Sequence, residues 1–223
     1  MKKNLQLALE QLKKGNFILI YDGDDREGEA DLVFHARFAT PEKIERMRKD
    51  AGGLICVALA KEIAEVLKLE FLVDMLKTNE RVSRMIYKKT AYGDKPAFSL
   101  AVNHKDVYTG IPDNDRALTI KKIWETTEEK DMRKYFVENF YTPGHIFLLI
   151  GRGLENRKGH TELSLKLAEL AGIEGTMVLC EMLGKGKALS KEKAKYYAEK
   201  NGFMFIEGKE IVKLVEGRTV GRR

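Results

Sequence analysis

The chain has 223 residues, of which 43% are hydrophobic and 33% are charged, and 40 basic against 34 acidic side chains give a formal net charge of +6. This composition excludes a disordered or fibrous chain, and a domain of this length buries enough apolar surface to fold without disulfides or a structural metal. The two cysteines, Cys56 and Cys180, lie far apart in the sequence, which excludes a disulfide framework and predicts a reducing, cytoplasmic environment.

Hydrophobic periodicity predicts that helices and strands alternate along the whole chain. The first helix, residues 5–14, carries Leu5, Leu9 and Leu12 at helical spacing among polar residues, so it does not resemble a signal peptide. No apolar run in the sequence reaches the length of a membrane span. The further predicted helices cover residues 41–49, 118–125, 130–139, 161–171, 191–200 and 210–215. The predicted strands cover residues 17–21, 32–34, 54–59, 98–102, 146–150, 176–180 and 203–206.

Four prolines and no low-complexity linker interrupt this pattern, which therefore predicts a single domain over residues 1–223. The least regular segment, residues 79–94, is rich in lysine, arginine and turn residues. Two interpretations of this segment stay open, a surface excursion or a long loop that covers a functional site.

Residues 22–31 place six carboxylates between two apolar strands. So many like charges repel one another unless a cation, a bound metal or full solvation offsets the repulsion. Arg26 stands where an EF-hand loop needs its fifth-position ligand, so calcium binding of that kind is not expected. The segment is therefore either a solvated acidic turn or a metal site.

A second polar segment, residues 156–162, runs directly into an amphipathic helix. Arg157 and Lys158 supply positive charge, and the following Gly159 lets the backbone approach a ligand closely. Thr161 is the predicted N-cap of the helix, and free amide groups at such a helix start bind phosphate. The alternative is a well-capped helix that follows a basic turn.

Two further polar residues stand at the ends of apolar strands. His145 follows Thr142-Pro143-Gly144 at the entrance of the strand 146–150, and Glu181 follows the strand 176–180. Each is either a group that projects into a cleft for proton transfer or a structural or solvent-exposed side chain. The P-loop, dinucleotide-binding, HExxH, GxSxG and CxxC patterns are missing from the sequence, which argues against the common enzymes that use them.

Five segments, taken together and in this order, carry a specific resemblance. They are the acidic segment with Asp25-Arg26-Glu27, Tyr108-Thr109-Gly110-Ile111 with Asp115-Arg116, Thr142-Pro143-Gly144-His145, Gly159-His160-Thr161-Glu162, and Leu179-Cys180-Glu181. Their order and spacing along nearly the whole chain resemble the 3,4-dihydroxy-2-butanone 4-phosphate synthases. The length is similar to that of the stand-alone synthase, so no GTP cyclohydrolase domain is expected.

The resemblance implies a fold, a reaction and an assembly. The implied fold is a single α/β domain of the α+β type, in which a mixed β-sheet is layered with helices as an αβα sandwich. The implied lyase reaction converts D-ribulose 5-phosphate into L-3,4-dihydroxy-2-butanone 4-phosphate and formate in riboflavin biosynthesis, by way of a metal-stabilised enediolate, acid/base proton transfers and a skeletal rearrangement. It further implies Mg²⁺ or Mn²⁺ as cofactor and a homodimer with its site near the interface.

The same resemblance implies the roles of individual residues. Glu27 and His160 match the metal ligands. His145 and Glu181 match the catalytic positions, and the sequence does not say which of them takes the first proton. The residues expected to bind substrate are Arg26, Glu27, Asp31, Thr109, Asp115, Arg157, Lys158, Gly159, His160, Thr161 and Glu181.

Three positions depart from the usual pattern of the family. Asp24 replaces a glutamate, Gly28 an asparagine and Lys158 a glycine, and none of these changes removes an expected ligand. Because magnesium prefers oxygen ligands and His160 offers nitrogen, we expect manganese to serve equally well or better.

Two other functions compete with this interpretation. The sequence pI near 9.1, the lysine-rich segment 185–200 and the tail 218–223 would suit a nucleic-acid-binding module. The acidic segment opposes it, and no RNA-binding or helix-turn-helix signature is found, so neither a nucleic-acid nor a membrane partner is expected. The second alternative keeps the fold and the metal but isomerises another sugar phosphate.

Overall fold

The computed structural model describes residues 3–86 and 93–220, and seven strands within these ranges form one sheet. All seven predicted strands are present, with shifted ends. The strands are β1 (Ile18–Tyr21), β2 (Ala30–His35), β3 (Cys56–Leu59), β4 (Phe98–His104), β5 (Phe140–Ile150), β6 (Thr176–Glu181) and β7 (Met204–Glu207).

Every predicted helix is also present, together with three short helices that were not predicted. These three, α3 to α5, follow β3. Helices α4 and α5 bury no residue, so their sequences show no clear apolar period. The α-helices are α1 (Lys3–Lys13), α2 (Pro41–Arg46), α3 (Lys61–Leu67), α4 (Leu72–Lys77), α5 (Glu80–Ser83), α6 (Asp113–Thr126), α7 (Met132–Asn139), α8 (His160–Ala171), α9 (Lys191–Lys200) and α10 (Gly208–Val220).

Two segments singled out in the sequence, residues 79–94 and 218–223, lie partly outside the residues that the structure describes. The irregular segment 79–94 contains α5, but residues 87–92 lie outside the described ranges. The side chains of the basic tail, residues 218–223, lie outside them as well.

The sheet is mixed. Its strand order is β4-β5-β3-β6-β2-β1-β7. The pairs β1–β7 and β3–β5 are parallel, whereas the other four pairs are antiparallel. Helices cover both faces because successive side chains of a strand point to opposite sides. In β1, Leu19 and Tyr21 enter one core cluster with residues of α2, α6 and α9, while Ile18 and Ile20 enter the other with α1 and α8. The expected αβα sandwich with a mixed sheet is confirmed.

The helices of the described ranges are all too short or too polar to cross a membrane.

Strand β5 begins earlier than predicted and contains a wide bulge. Its pairing with β4 jumps from Val102 opposite Ile146 to Asn103 opposite Tyr141, so residues 142–145 lie outside the regular ladder. A side chain at Gly144 would place its Cβ 2.0 Å from the carbonyl carbon of Val102, so this glycine allows the two backbones to approach. The predicted start at residue 146 was wrong because the bulge interrupts the alternation of apolar residues on which strand prediction depends.

Helix α7 begins two residues later than predicted because Asp131 acts as its N-cap. The Asp131 side chain accepts a hydrogen bond from the backbone amide of Lys134 at 2.9 Å. This contact satisfies one of the amides that a helix start leaves without an intrahelical partner. The helix then packs Phe136 against Phe140 at the start of β5, with the ring centroids 4.8 Å apart.

Replacing this cap gives a direct test of its contribution. We expect Asp131→Ala to lower the free energy of unfolding by about 1 kcal/mol, because an orphan amide of α7 loses its acceptor. Urea denaturation of the two proteins measures the difference. Asp131→Asn keeps a side-chain oxygen and should lose less than half as much, and an equal loss in both variants would show that the cap is not the cause.

Candidate active site

A cavity of about 180 Å³ opens over the middle of the sheet, beside the first turn of α8. The strands β2, β3 and β6 form its floor, and the acidic loop after β1 forms one wall. Polar groups predicted from three separate segments of the sequence therefore meet in one place. The residues that line the cavity are Glu27, Asp31, Leu54, Cys56, Pro96, Ala97, Phe98, Leu149, Arg157, His160, Thr161, Leu179 and Glu181.

His160 is the central polar side chain of this cavity, and it is buried. Its Nδ1 atom lies 3.7 Å from Oε2 of Glu27, and its Nε2 atom lies 3.6 Å from Oδ1 of Asp31. Nε2 also lies 3.1 Å from the backbone oxygen of Glu29. The imidazole is therefore enclosed by oxygen atoms of the acidic loop and of β2.

Asp22 shapes the acidic loop from inside. A carboxylate oxygen of Asp22 and one of Glu27 lie within 4.8 Å of a His160 ring nitrogen and of each other. However, Asp22 already accepts three backbone hydrogen bonds, from Gly23 at 2.8 Å, Glu27 at 3.0 Å and Glu29 at 3.1 Å. Asp22 thus organises the loop, whereas Glu27 and His160 face the cavity.

The donor atoms present fit a divalent cation. Ligands of one small cation stand about 3 to 4 Å apart when the bonds are about 2.1 Å long, and the 3.7 Å between Glu27 and His160 falls in that range. Asp31 adds a buried oxygen, Oδ1, that accepts no hydrogen bond from any side chain or amide of the described ranges. Glu27 and His160 are thus able to hold a metal, with the Asp31 carboxylate close by.

Burial and the charges of neighbouring carboxylates shift the pKa of both buried groups next to Glu27, Asp31 and His160. Burial, together with the charges of Glu181, Glu27 and Glu29, raises the pKa of Asp31 to about 7, although His160 opposes the shift. Burial alone would lower the pKa of His160, but the surrounding carboxylates, led by Asp31, raise it to about 10. In the metal-free protein at neutral pH, the imidazole is therefore a cation that partly neutralises the cluster.

Arg157 stands beside this cluster and is held in place by a buried partner. Its Nη1 atom donates to Oε2 of Glu162 at 2.7 Å, and its Nη2 atom lies 3.7 Å from Oε1 of Glu27. Glu162 is buried in the first turn of α8, and its other oxygen accepts from the amide of Arg152 at 3.1 Å. A Cβ at Gly159 would lie 2.0 Å from Nη1 of Arg157, so the glycine leaves room for the guanidinium.

The helix start differs from the predicted one. Gly159 occupies the N-cap and α8 begins at His160, so the prediction that Thr161 caps the helix was wrong. Thr161 is instead buried in the first turn and lines the cavity. The imidazole of His160 and the amides of the first turn therefore come from the same short segment.

Asp94 links two of the expected substrate-binding arginines. Its Oδ2 atom accepts a hydrogen bond from Nη2 of Arg26 at 2.7 Å and lies 3.4 Å from Nε of Arg157. The sequence interpretation contained no role for Asp94 or Glu162. Asp94 lies 68 residues from Arg26, and no local pattern identifies such a pair. Glu162 lies only five residues from Arg157, inside the polar segment 156–162, but the sequence does not show that the two side chains meet.

Glu181 lies at the end of β6, directly opposite Asp31 of β2. One of its carboxylate oxygens accepts a hydrogen bond from the amide of Leu54 at 2.8 Å. Gly53 packs against the same carboxylate, and a Cβ at this position would lie 2.4 Å from Oε2 of Glu181. Glu181 therefore presents an oriented carboxylate to the cavity.

A second group of predicted residues gathers around the bulge of β5. Asn103 of β4 bonds to His145 and to the hydroxyl of Tyr141. The amides of Thr109 and Gly110 both donate to Oδ2 of Asp115, which closes the loop next to Asn103. Within the described ranges, Thr109, Asp115 and His145 do not line the cavity.

Lys158 points away from the cavity. It is exposed, and its Nζ atom lies 3.8 Å from Oε1 of Glu216 on α10. It lines a different cleft, between the acidic loop and α10, so the structure does not bring it to Glu27 and His160. Both cysteines are buried free thiols, and Cys56 contributes to the cavity wall.

The fold and the cavity together define a class, that of mixed-sheet α/β proteins with a carboxylate and histidine cluster next to an arginine at a helix start. The model of the 3,4-dihydroxy-2-butanone 4-phosphate synthase family matches residues 6–214. The chain belongs to this family.

Individual relatives agree with this assignment. A protein named 3,4-dihydroxy-2-butanone 4-phosphate synthase from Methanosarcina mazei is 49% identical over 222 residues, which cover 94% of this chain and 90% of the relative. A protein of the same name from Archaeoglobus fulgidus is 44% identical over 218 residues, with 92% and 91% covered. A solved structure of such a synthase in complex with two magnesium ions is 25% identical, with a TM-score of 0.77 and 96% of each chain covered.

The raised pKa of His160 makes metal binding depend on pH. A metal binds only the neutral imidazole, so binding must displace the proton that His160 carries below its pKa of about 10. As the pH rises from about 6.5 to 8.5, we expect the dissociation constant for Mn²⁺ to fall about tenfold per pH unit. Electron paramagnetic resonance of the free ion measures it, and a constant affinity over this range would exclude His160 as a ligand.

Proposed function

We propose that the protein converts D-ribulose 5-phosphate into L-3,4-dihydroxy-2-butanone 4-phosphate and formate, as a lyase of riboflavin biosynthesis that uses Mg²⁺ or Mn²⁺. The observation that carries the proposal is the meeting of Glu27 and His160, at 3.7 Å, beside the buried Arg157 in one cavity. Family membership supports the same reaction. Two free, buried thiols agree with a cytoplasmic enzyme.

Glu27 and His160 would hold the metal. When bound there, the ion supplies Lewis-acid polarisation of substrate oxygens next to the reacting carbons. The charge of Arg157 and the free amides at the start of α8 suit the phosphate at the other end of the substrate. The phosphate is remote from the reacting carbons of the substrate. Binding it orients those carbons, so its binding energy assists catalysis although the phosphate does not react.

Glu181 and His145 are the proposed acid and base groups. The reaction requires removal of a proton next to a carbonyl, loss of a hydroxyl as water, a carbon shift, and addition of one water that releases one carbon as formate. It needs no external oxidant or reductant, because the atoms of the five-carbon sugar phosphate divide between the four-carbon phosphate and formic acid. Each positioned acid or base group contributes roughly a factor of 10² to 10⁴ to such proton transfers.

We further propose that the enzyme is a homodimer whose site combines two chains. Glu181 and His145 lie on β6 and β5, which are separated in the sheet by β3, and His145 is exposed outside the cavity. Exposed apolar side chains surround the second cluster, with Tyr108 94% and Ile111 53% accessible. A second chain that covers this surface would bring its His145 to the cavity of the first.

Glu27→Gln tests the metal site. The amide keeps the shape of the side chain but loses the charge that a divalent cation requires, so we expect turnover to fall more than about a hundredfold with the fold retained. Formate and the four-carbon phosphate are assayed with ribulose 5-phosphate and Mg²⁺, with and without EDTA.

Asp24→Asn is the matched control for that variant. Asp24 lies in the same acidic loop, but its side chain is 80% exposed and lies outside the metal cluster. We expect it to keep wild-type turnover. Full activity in Glu27→Gln would remove Glu27 from the metal site, and consumption of the substrate without formate would favour a sugar-phosphate isomerase.

Heterodimers test the shared site. Glu27→Gln and His145→Ser are each expected to be inactive as homodimers. In a heterodimer of the two, purified through two different tags, one of the two shared sites is intact, so about half of the wild-type activity should return. A heterodimer as inactive as its parents would place His145 and Glu27 of one chain in the same site.

A further inference from the structure

Asn103 makes polar contacts with both the backbone amide and the ring of His145. The backbone amide of His145 donates to Oδ1 of Asn103 at 2.9 Å. The Nδ2 atom of Asn103 lies 3.1 Å from the ring atom Nδ1 of His145 and also donates to the hydroxyl of Tyr141 at 3.2 Å. One side chain of β4 thus replaces the ladder contacts that the bulge of β5 removes.

The contacts of the Asn103 side chain indicate which nitrogen of the ring carries hydrogen. Nδ1 of His145 lies 3.1 Å from Nδ2 of Asn103 and 3.3 Å from its Oδ1. Because Oδ1 of Asn103 accepts from the backbone, the amide group of Asn103 faces Nδ1 of His145, and an amide group only donates. The contact to Nδ2 is the shorter of the two, and Oδ1 already accepts from the backbone amide at 2.9 Å, so Nδ1 is assigned as the acceptor. In the neutral ring, the hydrogen is then on Nε2.

The Asn103 amide is held in this orientation from its other side as well. The side chain is 2% exposed, and a Cβ at Gly110 would lie 2.1 Å from Nδ2 of Asn103. Gly110 itself has a φ of 94° and donates its amide to Asp115, so the loop packs directly on the amide plane. The loop that Asp115 holds by the amide of Gly110 therefore packs against Asn103.

We infer that Asn103 is a positioning residue that keeps His145 in the tautomer with hydrogen on Nε2. This inference rests on the proposed catalytic role of His145. No side chain in the described ranges is recorded in a hydrogen bond to Nε2 of the exposed His145 ring, so this nitrogen is available to a substrate. A neutral ring in this form donates a hydrogen bond to a substrate oxygen that gains negative charge, and it is not a base at Nε2. Glu181 then takes the first proton.

The tautomer is measured directly by ¹⁵N NMR of the side chains, because the chain has only four histidines. In the full-length protein at a pH where the ring is neutral, Nδ1 of His145 should resonate as an unprotonated nitrogen and Nε2 as a protonated one. Asn103→Asp replaces the donor with an acceptor, so it should move the hydrogen to Nδ1. A wild-type ring protonated at Nδ1, or an Asn103→Asp spectrum unchanged from wild type, would overturn the inference.

Kinetics of a second variant separate positioning from folding. Asn103→Leu removes both contacts, so kcat with ribulose 5-phosphate should fall about tenfold to a hundredfold, while KM changes less than about twofold. Tyr141→Phe is the matched control, since it removes a partner of the Asn103 amide but leaves the contact with His145 and should keep both constants. Equal losses in the two variants would overturn the inference, and absence of formate in the wild type would instead refute the proposed function while leaving the NMR result interpretable.

Discussion

The candidate site depends on one buried imidazole held among carboxylates. His160 lies between Glu27 and Asp31, and its positive charge in the metal-free protein allows several acidic groups to share a small volume. Asp22 makes this arrangement possible, because its three backbone hydrogen bonds fold the acidic loop toward α8. A metal at Glu27 and His160 would take the place of the proton on the imidazole. The repulsion among the carboxylates of the acidic loop therefore also favours binding of a divalent ion.

Three other polar side chains are also held by a hydrogen-bonding partner, which in two of the three cases lies far away in the sequence. Glu162 orients Arg157, the amide of Leu54 orients Glu181, and Asn103 orients His145. None of these partners needs to touch the substrate in order to matter. They hold these side chains in fixed geometries, which the proposed proton transfers and charge stabilisation require.

Much of the fold followed from local patterns, and the failures have local causes. The helix 191–200 matched the structure because Ser190 caps its start and its two buried residues, Ala194 and Ala198, are spaced one helical turn apart. Helices α4 and α5 were missed because they bury nothing, and the start of β5 was misplaced because residues 142–145 leave the ladder. Thr161 was mistaken for the cap because a threonine at a helix start usually serves as one, whereas Gly159 takes that position here to make room for Arg157.

The sequence by itself determined the family, the single mixed α/β domain and the residue types of the site, because five motifs in fixed order carry that information without any coordinates. Only the tertiary structure decided which of those residues meet. It brought Glu27, Asp31, Arg157, His160 and Glu181 to one cavity, placed Lys158 at a different cleft, and left His145 with Asn103 outside the cavity. The physical reason is that strand order and loop closure fix distances between segments, and neither appears in the periodicity of any one segment.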